Sequence, residues 1–314
     1  MLTVLEVTLP VFGLVFLGWI AARRRILSEA AVDGVNAFVF WFALPAMLFR
    51  AVSTLPVAKI ADSRFLLAYL AAAVVMFAIS RALASTVSAD PPERTGLAFA
   101  ATHGNIGYLG LRLLAQIGDA DRLPGMVMAM LVDILVVIVA AIVLFELGRR
   151  TDAAGAPLSA RLRGALGGLL RTPLILGIAA GLLASATGLA LPGPVTTFVG
   201  LLAAAAGPCA LFAIGASLGG RPATLDTPVA GLMVLKLAVH PALVAIAMFA
   251  FGVDPQLAAI GILAAALPTA SNTFILAQRY GVDTRPIGAA IVAGTFVAAL
   301  TVSLVIWLLG LPIG

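Results

Sequence analysis

The chain has 314 residues, of which 62% are hydrophobic and only 11% charged, with a mean hydropathy of +1.14. A soluble domain carries about 25% charged residues, so this composition excludes a soluble globular protein and points to an integral membrane protein. The net charge of +5 and the pI near 10.1 do not signal a nucleic-acid partner, because the basic residues are distributed unequally between the two sides of the apolar runs.

Taken in chain order, apolar runs are predicted near 2–22, 33–53, 64–84, 94–117, 123–147, 173–190, 195–218, 228–251, 256–279 and 287–311. Runs of about 18–25 residues suit helices crossing a hydrocarbon core of roughly 30 Å. They lack the alternation of barrel strands, so the expected class is an all-α, ten-span membrane protein. The first run, "LTVLEVTLPVFGLVFLGWIAA", has no Lys or Arg before it and Arg23, Arg24 and Arg25 after it, the reverse of a secretory signal, and is read as a retained span. The lone Cys209 lies inside the seventh run, where it permits no disulfide or cysteine zinc site within the chain and reads as a packing residue.

Assigned to sides, Arg23, Arg24, Arg25, Arg81, Arg94, Arg149, Arg150, Arg161, Arg163, Arg171, Arg221, Arg279 and Arg285 fall together, whereas Arg50, Lys59, Arg64, Arg112 and Arg122 fall opposite. The positive-inside rule then places both termini outside and the 148–172 loop in the cytoplasm, in the cytoplasmic (inner) membrane. Within that loop Leu158, Leu162, Leu166 and Leu169 recur beside Arg161 and Arg163, which fits either a short headgroup-level helix or a mobile basic connector.

The loop divides ten spans into five and five. The expected domains are a first repeat over 1–147, the basic linker 148–172 and a second repeat over 173–314. An odd number per half means that related halves enter the membrane in opposite orientations, the inverted-repeat plan of many secondary transporters. Pro45, Leu48 and Phe49 repeat as Pro208, Leu211 and Phe212, 163 positions on, and Pro10 and Pro173 share that separation.

Two runs carry helix-breaking and polar residues at their centres. The fourth contains Gly104, Asn105, Gly107 and Gly110 in "ATHGNIGYLG", and the ninth contains Pro268, Ser271 and Asn272 in "ALPTASNT". Irregular backbone at membrane depth is tolerated only where protein or a water-filled cavity satisfies it. A matched pair of interrupted helices is the best sequence pointer to a transporter's binding site. Asn105, and Ser271 or Asn272, are candidate caps of restarting half-helices, whose exposed N-termini would suit an anion.

Asp133 in the fifth run and Lys236 in the eighth are charges within spans and must face protein or water. They are expected to pair or to line one cavity, Asp133 as a proton or cation site and Lys236 as an anion contact, unless the pair is purely structural. His240 shares a helix face with Lys236 and His103 adjoins the first break; each reads first as a packing histidine and second as part of a proton relay. Glu6 and Arg50 lie nearer span ends, where they snorkel or line a vestibule. The G-x-S-x-G at Gly215, Ser217 and Gly219 ends an apolar helix rather than following a strand, so it is no nucleophile elbow. Gly215 and Gly219, like Gly177 and Gly181, read as small-residue helix contacts. No metal-protease or Walker motif is present.

The stretches "ALPTASNTFILAQRYGVD", "FVFWFALPAMLF", "PCALFAIGASLGG" and "LKLAVHPAL" resemble the auxin efflux carrier family, whose bacterial members are commonly described as malonate-type transporters. The most specific part is Leu267, Pro268, Phe274, Ala277 and Tyr280. The resemblance implies a fold similar to sodium/proton antiporters and bile-acid symporters, with unwound fourth and ninth helices crossing at the substrate site and elevator-like movement of the crossing domain. It places the substrate site on Gly104, Asn105, Ile106, Gly107, Pro268, Ser271 and Asn272, and Asp133 and Lys236 stand where the related antiporters have an acidic residue and a lysine; with His240, on the Lys236 face, they form the candidate ion-coupling or charged set. Plant members carry a proline in each crossing, where this chain has glycines near Asn105 in the first and Thr273 in the second, and their long central loop is missing here.

The expected function is secondary active transport of a small organic anion, with no enzymatic activity, no cofactor and no metal. Proton or sodium coupling is left open, as is a homodimer. Rival readings are a sodium-coupled symporter of bile-acid type and a membrane receptor that binds without translocating.

Overall fold

In lipid every backbone N–H and C=O must be satisfied within the protein, which leaves apolar runs little choice but helix. The computed structural model describes residues 2–54, 62–117, 122–148, 167, 171–188, 191–220 and 226–311. Among these the chain is helical, with a single isolated β-bridge. In chain order the helices are α1 (Leu2–Arg23), α2 (Glu29–Ser53), α3 (Ser63–Ala84), α4 (Pro91–Thr102), α5 (106–117), α6 (Leu123–Gly148), α7 (Pro173–Thr187), α8 (Gly193–Gly220), α9 (Thr227–Ala250), α10 (Pro255–Ala266), α11 (Asn272–Arg279) and α12 (Arg285–Leu308). Six of them, α2, α3, α6, α8, α9 and α12, are long and apolar enough to cross a membrane. The outward faces of α9 and α12 carry Phe249, Phe296 and Trp307, and that of α1 carries Phe16, all exposed, as a lipid-facing surface requires. The protein is a multi-pass membrane protein.

The expected fourth and ninth spans are each two helices, α4 with α5 and α10 with α11. Leu158, Leu162, Leu166 and Leu169, most of the rest of the 148–172 linker and the side chain of Glu6 lie outside the described residues.

Four helix starts are set by aspartates. Asp62 accepts from Phe65 N at 2.8 Å to open α3, and Asp90 accepts from Glu93 N at 3.2 Å to open α4. Asp226 accepts from Val229 N at 3.2 Å to open α9, and Asp254 accepts from Gln256 N at 2.9 Å to open α10. Each satisfies a donor that the first helical turn leaves without an intrahelical acceptor. Prolines in the first turns of α4, α9 and α10 add a preset φ where no N–H is needed. Within α2 and α9, π-turns at Val39–Ala43 and Leu235–Val239 precede Pro45 and Pro241, relieving the clash of each ring with the preceding turn. A third π-turn, Asp133–Ile138, begins at the buried acid of α6.

Two close helix pairs frame the molecule. Gly215 of α8 lies so near α1 that a Cβ there would stand 1.9 Å from Val15 O, and Gly18 of α1 meets Phe212 O equally tightly at 2.0 Å. Gly177 and Gly181 of α7 approach Pro45 O and Phe49 O of α2 in the same manner, at 2.6 and 2.8 Å. Small residues allow this backbone approach. Gly215→Ala and Gly18→Ala should therefore each destabilise the protein by the roughly 1–3 kcal/mol typical of overpacking, read as a lower thermal unfolding midpoint in detergent. Gly231→Ala, inside α9 at a site with open space around it, should leave the midpoint unchanged or raise it.

Candidate functional site

α4 ends at Thr102 because His103 turns to extended backbone (φ −75°, ψ 120°), and α5 restarts after Asn105 (φ −80°, ψ 52°). α10 ends at Ala266 because Leu267 (φ −63°, ψ 147°) precedes Pro268, and a residue before proline disfavours the helical region. The two extended stretches cross antiparallel through the Gly104–Thr269 bridge. Asn105 N–H donates to Pro268 O at 2.9 Å, Ala270 N–H to His103 O at 3.4 Å, and Thr269 Oγ1 to Ala100 O at 2.8 Å. Each break thus supplies partners for the other.

Four helix ends meet at this crossing. The C-terminal ends of α4 and α10 present carbonyls to Lys236, whose Nζ donates to Thr102 O at 3.3 Å and Ala265 O at 2.9 Å and lies 2.9 Å from His240 Nδ1. Lys236 and His240 are fully buried. A cation among helix C-termini opposes their partial negative charge, so the ammonium is engaged by the fold itself.

The N-terminal ends of α5 and α11 face a cavity of about 110 Å³, large enough to admit water. Asn105, Gly107, Ser271 and Asn272 line it together with His103 and Asp133. Asp133 Oδ2 accepts from Gly104 N–H at 3.1 Å and lies 3.1 Å from His103 Nδ1, within ion-pair range but outside hydrogen-bond geometry. His103 also stacks on Phe99, ring centres 5.0 Å apart. Asn105 and Ser271 occupy the N-cap positions of their helices, but neither side chain makes the expected capping bond. The crossing chain occupies Asn105 N–H, while Asn272 Oδ1 is buried with no partner among the described residues.

The sequence-derived set divides accordingly. Gly104, Asn105, Ile106, Gly107, Ser271, Asn272 and Asp133 are brought to one cavity wall, and Pro268 adjoins it through its carbonyl. Lys236 and His240 are not in that wall. Asp133 and Lys236 do not pair directly; they approach Gly104 from two directions, Asp133 at its N–H and Lys236 Nζ 3.2 Å from where a Cβ would stand. The glycine keeps both charges close to the crossing. Sequence reasoning passed over Thr269, whose hydroxyl ties the second break to α4, and Tyr108, half-buried in the cavity wall with the Arg112 guanidinium 4.2 Å from its ring centre. Tyr108 follows Asn105 by one turn, a readable signal; the apolar wall from Leu48, Met130 and Ala206 carried none.

Tyr280 stacks on Phe145 with ring centres 4.6 Å apart and donates to Glu146 Oε1 at 2.9 Å, fastening the end of α11 to α6, the helix that carries Asp133. Phe274 packs at Gly288 of α12. These aromatic residues anchor the broken helix rather than line the cavity.

A family model described as "Membrane transport protein" matches residues 3–306. The chain belongs to this family, that of the auxin efflux carriers. The transporter is 32% identical to a "Putative malonate transporter" of Rhizobium meliloti (strain 1021), over 96% of this chain and 94% of that protein. It is 28% identical to the "Uncharacterized transporter YfdV" of Escherichia coli (strain K12), over 88% of each chain. These relatives are transporters by name, not enzymes.

Lys236→Met in the transporter should leave the Thr102 and Ala265 carbonyls without their donor. At about 1–3 kcal/mol for each buried unsatisfied group, the expected loss is roughly 2–6 kcal/mol, read as a lower unfolding midpoint of the purified protein. An unchanged midpoint would show that the two helix ends do not depend on the ammonium.

Proposed function

We propose that this family member is a secondary active transporter of the cytoplasmic (inner) membrane that carries a small organic anion, a carboxylate of malonate type, by elevator-like alternating access. One observation carries the reading: the N-termini of α5 and α11 meet at a single cavity without side-chain caps. Each such end carries roughly half a positive charge and spare N–H donors, suited to a carboxylate. The amides of Asn105 and Asn272 and the Ser271 hydroxyl add polar contacts, and Gly104, Ile106, Gly107 and Pro268 shape the backbone that presents them. The name of the Rhizobium relative supports a dicarboxylate such as malonate.

Asp133 in the same wall opposes an anion unless a proton or a sodium ion accompanies it, which makes this acid the coupling site, with His103 beside it. Lys236 and His240 lie behind the crossing and hold the helix ends whose geometry the site needs.

The architecture in this reading is ten spans in two inverted repeats, 1–147 and 173–314, joined by the cytoplasmic linker 148–172, with both termini outside. Two spacings support it. The capping aspartates pair as Asp62 with Asp226 and Asp90 with Asp254, each 164 positions apart. The close contacts Gly18 to Phe212 and Gly181 to Phe49 exchange under a shift of 163.

Reconstituted in liposomes, the protein should catalyse counterflow of labelled malonate. Asn105→Ala and Asn272→Ala should each reduce it about tenfold, the scale of one lost hydrogen bond to a charged group. Asp133→Asn should abolish its dependence on a proton or sodium gradient. Wild-type rates in both asparagine variants would refute the site, and malonate binding without counterflow would favour a receptor.

A further inference from the structure

The seam between α2 and α11 holds a second cavity. The central cavity meets this seam at Leu44 and Leu48 of α2 and Asn272 of α11. One helical turn further along both helices, a separate cavity of about 240 Å³ is lined by Asn36 and Phe40 of α2 and by Ile275, Gln278 and Arg279 of α11. It opens at the molecular surface, where Asp33, Trp41 and Arg279 are exposed. The apolar turn between the two cavities includes the π-turn Val39–Ala43.

Its polar groups are not satisfied by the fold. Asn36 is 93% buried, yet neither its amide nitrogen nor its amide oxygen has a partner among the described residues. Leaving such groups bare costs about 1–3 kcal/mol each, so a helix position this buried favours an apolar residue unless something visits it. Gln278 Oε1 is likewise buried without a partner, while its Nε2 donates to Asp33 Oδ1 at 3.3 Å. Arg279 lies against two aromatic rings, its guanidinium carbon 5.6 Å from the centre of Phe40 and 5.8 Å from that of Trp41. No carboxylate among the described residues pairs with it. Stacking of this kind holds the guanidinium plane while leaving its N–H edge available for a bidentate oxyanion.

We propose that Arg279, Asn36 and Gln278 form a second binding site, for the carboxylate of a small organic acid, in line with the central cavity along the α2–α11 seam. The carboxylate sits on the Arg279 edge, and the Asn36 and Gln278 amides take the remaining hydrogen bonds. Asp33 at the rim selects against excess negative charge, so it tunes the site in the sense opposite to Arg279. A lipid headgroup phosphate offers the same oxyanion chemistry, and the experiment separates the two. The inference rests on the transport reading only for its class of ligand.

Trp41 is a built-in reporter. The full-length Trp19→Phe, Trp307→Phe protein, with Trp41 as its remaining tryptophan, is placed in phosphatidylcholine nanodiscs and titrated with malonate and with acetate. The expected result is a saturable change in Trp41 emission, with apparent affinity weakened about tenfold or more by Arg279→Gln. Asp33→Asn should tighten malonate binding by about two- to five-fold, the reach of an exposed charge pair. The response should survive the Asn105→Ala, Asn272→Ala double change. The proposal fails if no saturable response appears, if Arg279→Gln leaves it unaltered, if it vanishes with the central asparagines, or if only added phosphatidylglycerol produces it. Loss of counterflow with an intact Trp41 titration would instead reject the transport reading and leave this site standing.

Discussion

The structure depends on one constraint: two helices are interrupted inside a largely apolar protein, and the backbone groups they release must find partners there. Neither break can do this alone. Asn105 N–H reaches Pro268 O, Ala270 N–H reaches His103 O, and Thr269 Oγ1 reaches Ala100 O, so the interruptions satisfy one another. In lipid the cost of failing is several kcal/mol per group, which makes the crossing cooperative. Removing one break would leave the other without partners.

From that crossing the electrostatics follow. Interrupting two helices makes four ends, two partly negative and two partly positive. Lys236 is placed where the carbonyl ends converge, and Asp133 meets an N–H at the crossing itself. The two charges are matched to backbone dipoles rather than to each other, with Gly104 between them because any side chain there would crowd the ammonium. The α5 and α11 N-termini remain turned toward the cavity, and a solute able to use them would be negative.

Around this centre the scaffold is built from close glycine contacts, α1 against α8 and α2 against α7. Apolar attraction discriminates little between helices in lipid, so backbone proximity and packing supply the association. The same helix α2 borders both the central cavity and the Asn36 cavity, and α11 does likewise. A relative movement of these two elements would reshape both spaces together.

Much of this was legible in residue order. Composition sufficed for the membrane class, the lengths of apolar runs for most helix limits, and Gly104, Asn105, Pro268 and Asn272 for the positions of the breaks, because proline and glycine act on the backbone locally. The family motif likewise marked α11. What distance along the chain could not convey was pairing. Lys236 and Asp133 looked like mutual partners, since a sequence registers charge but not the dipoles of helix ends made by distant segments. Asn105 and Ser271 looked like caps, yet the crossing chain engages Asn105 N–H and neither side chain caps its helix. Thr269 and Asn36 acquired meaning only when remote helices closed around them. Local stereochemistry is written residue by residue, whereas satisfaction of buried polar groups is a property of the whole packed chain, and only the tertiary structure decides it.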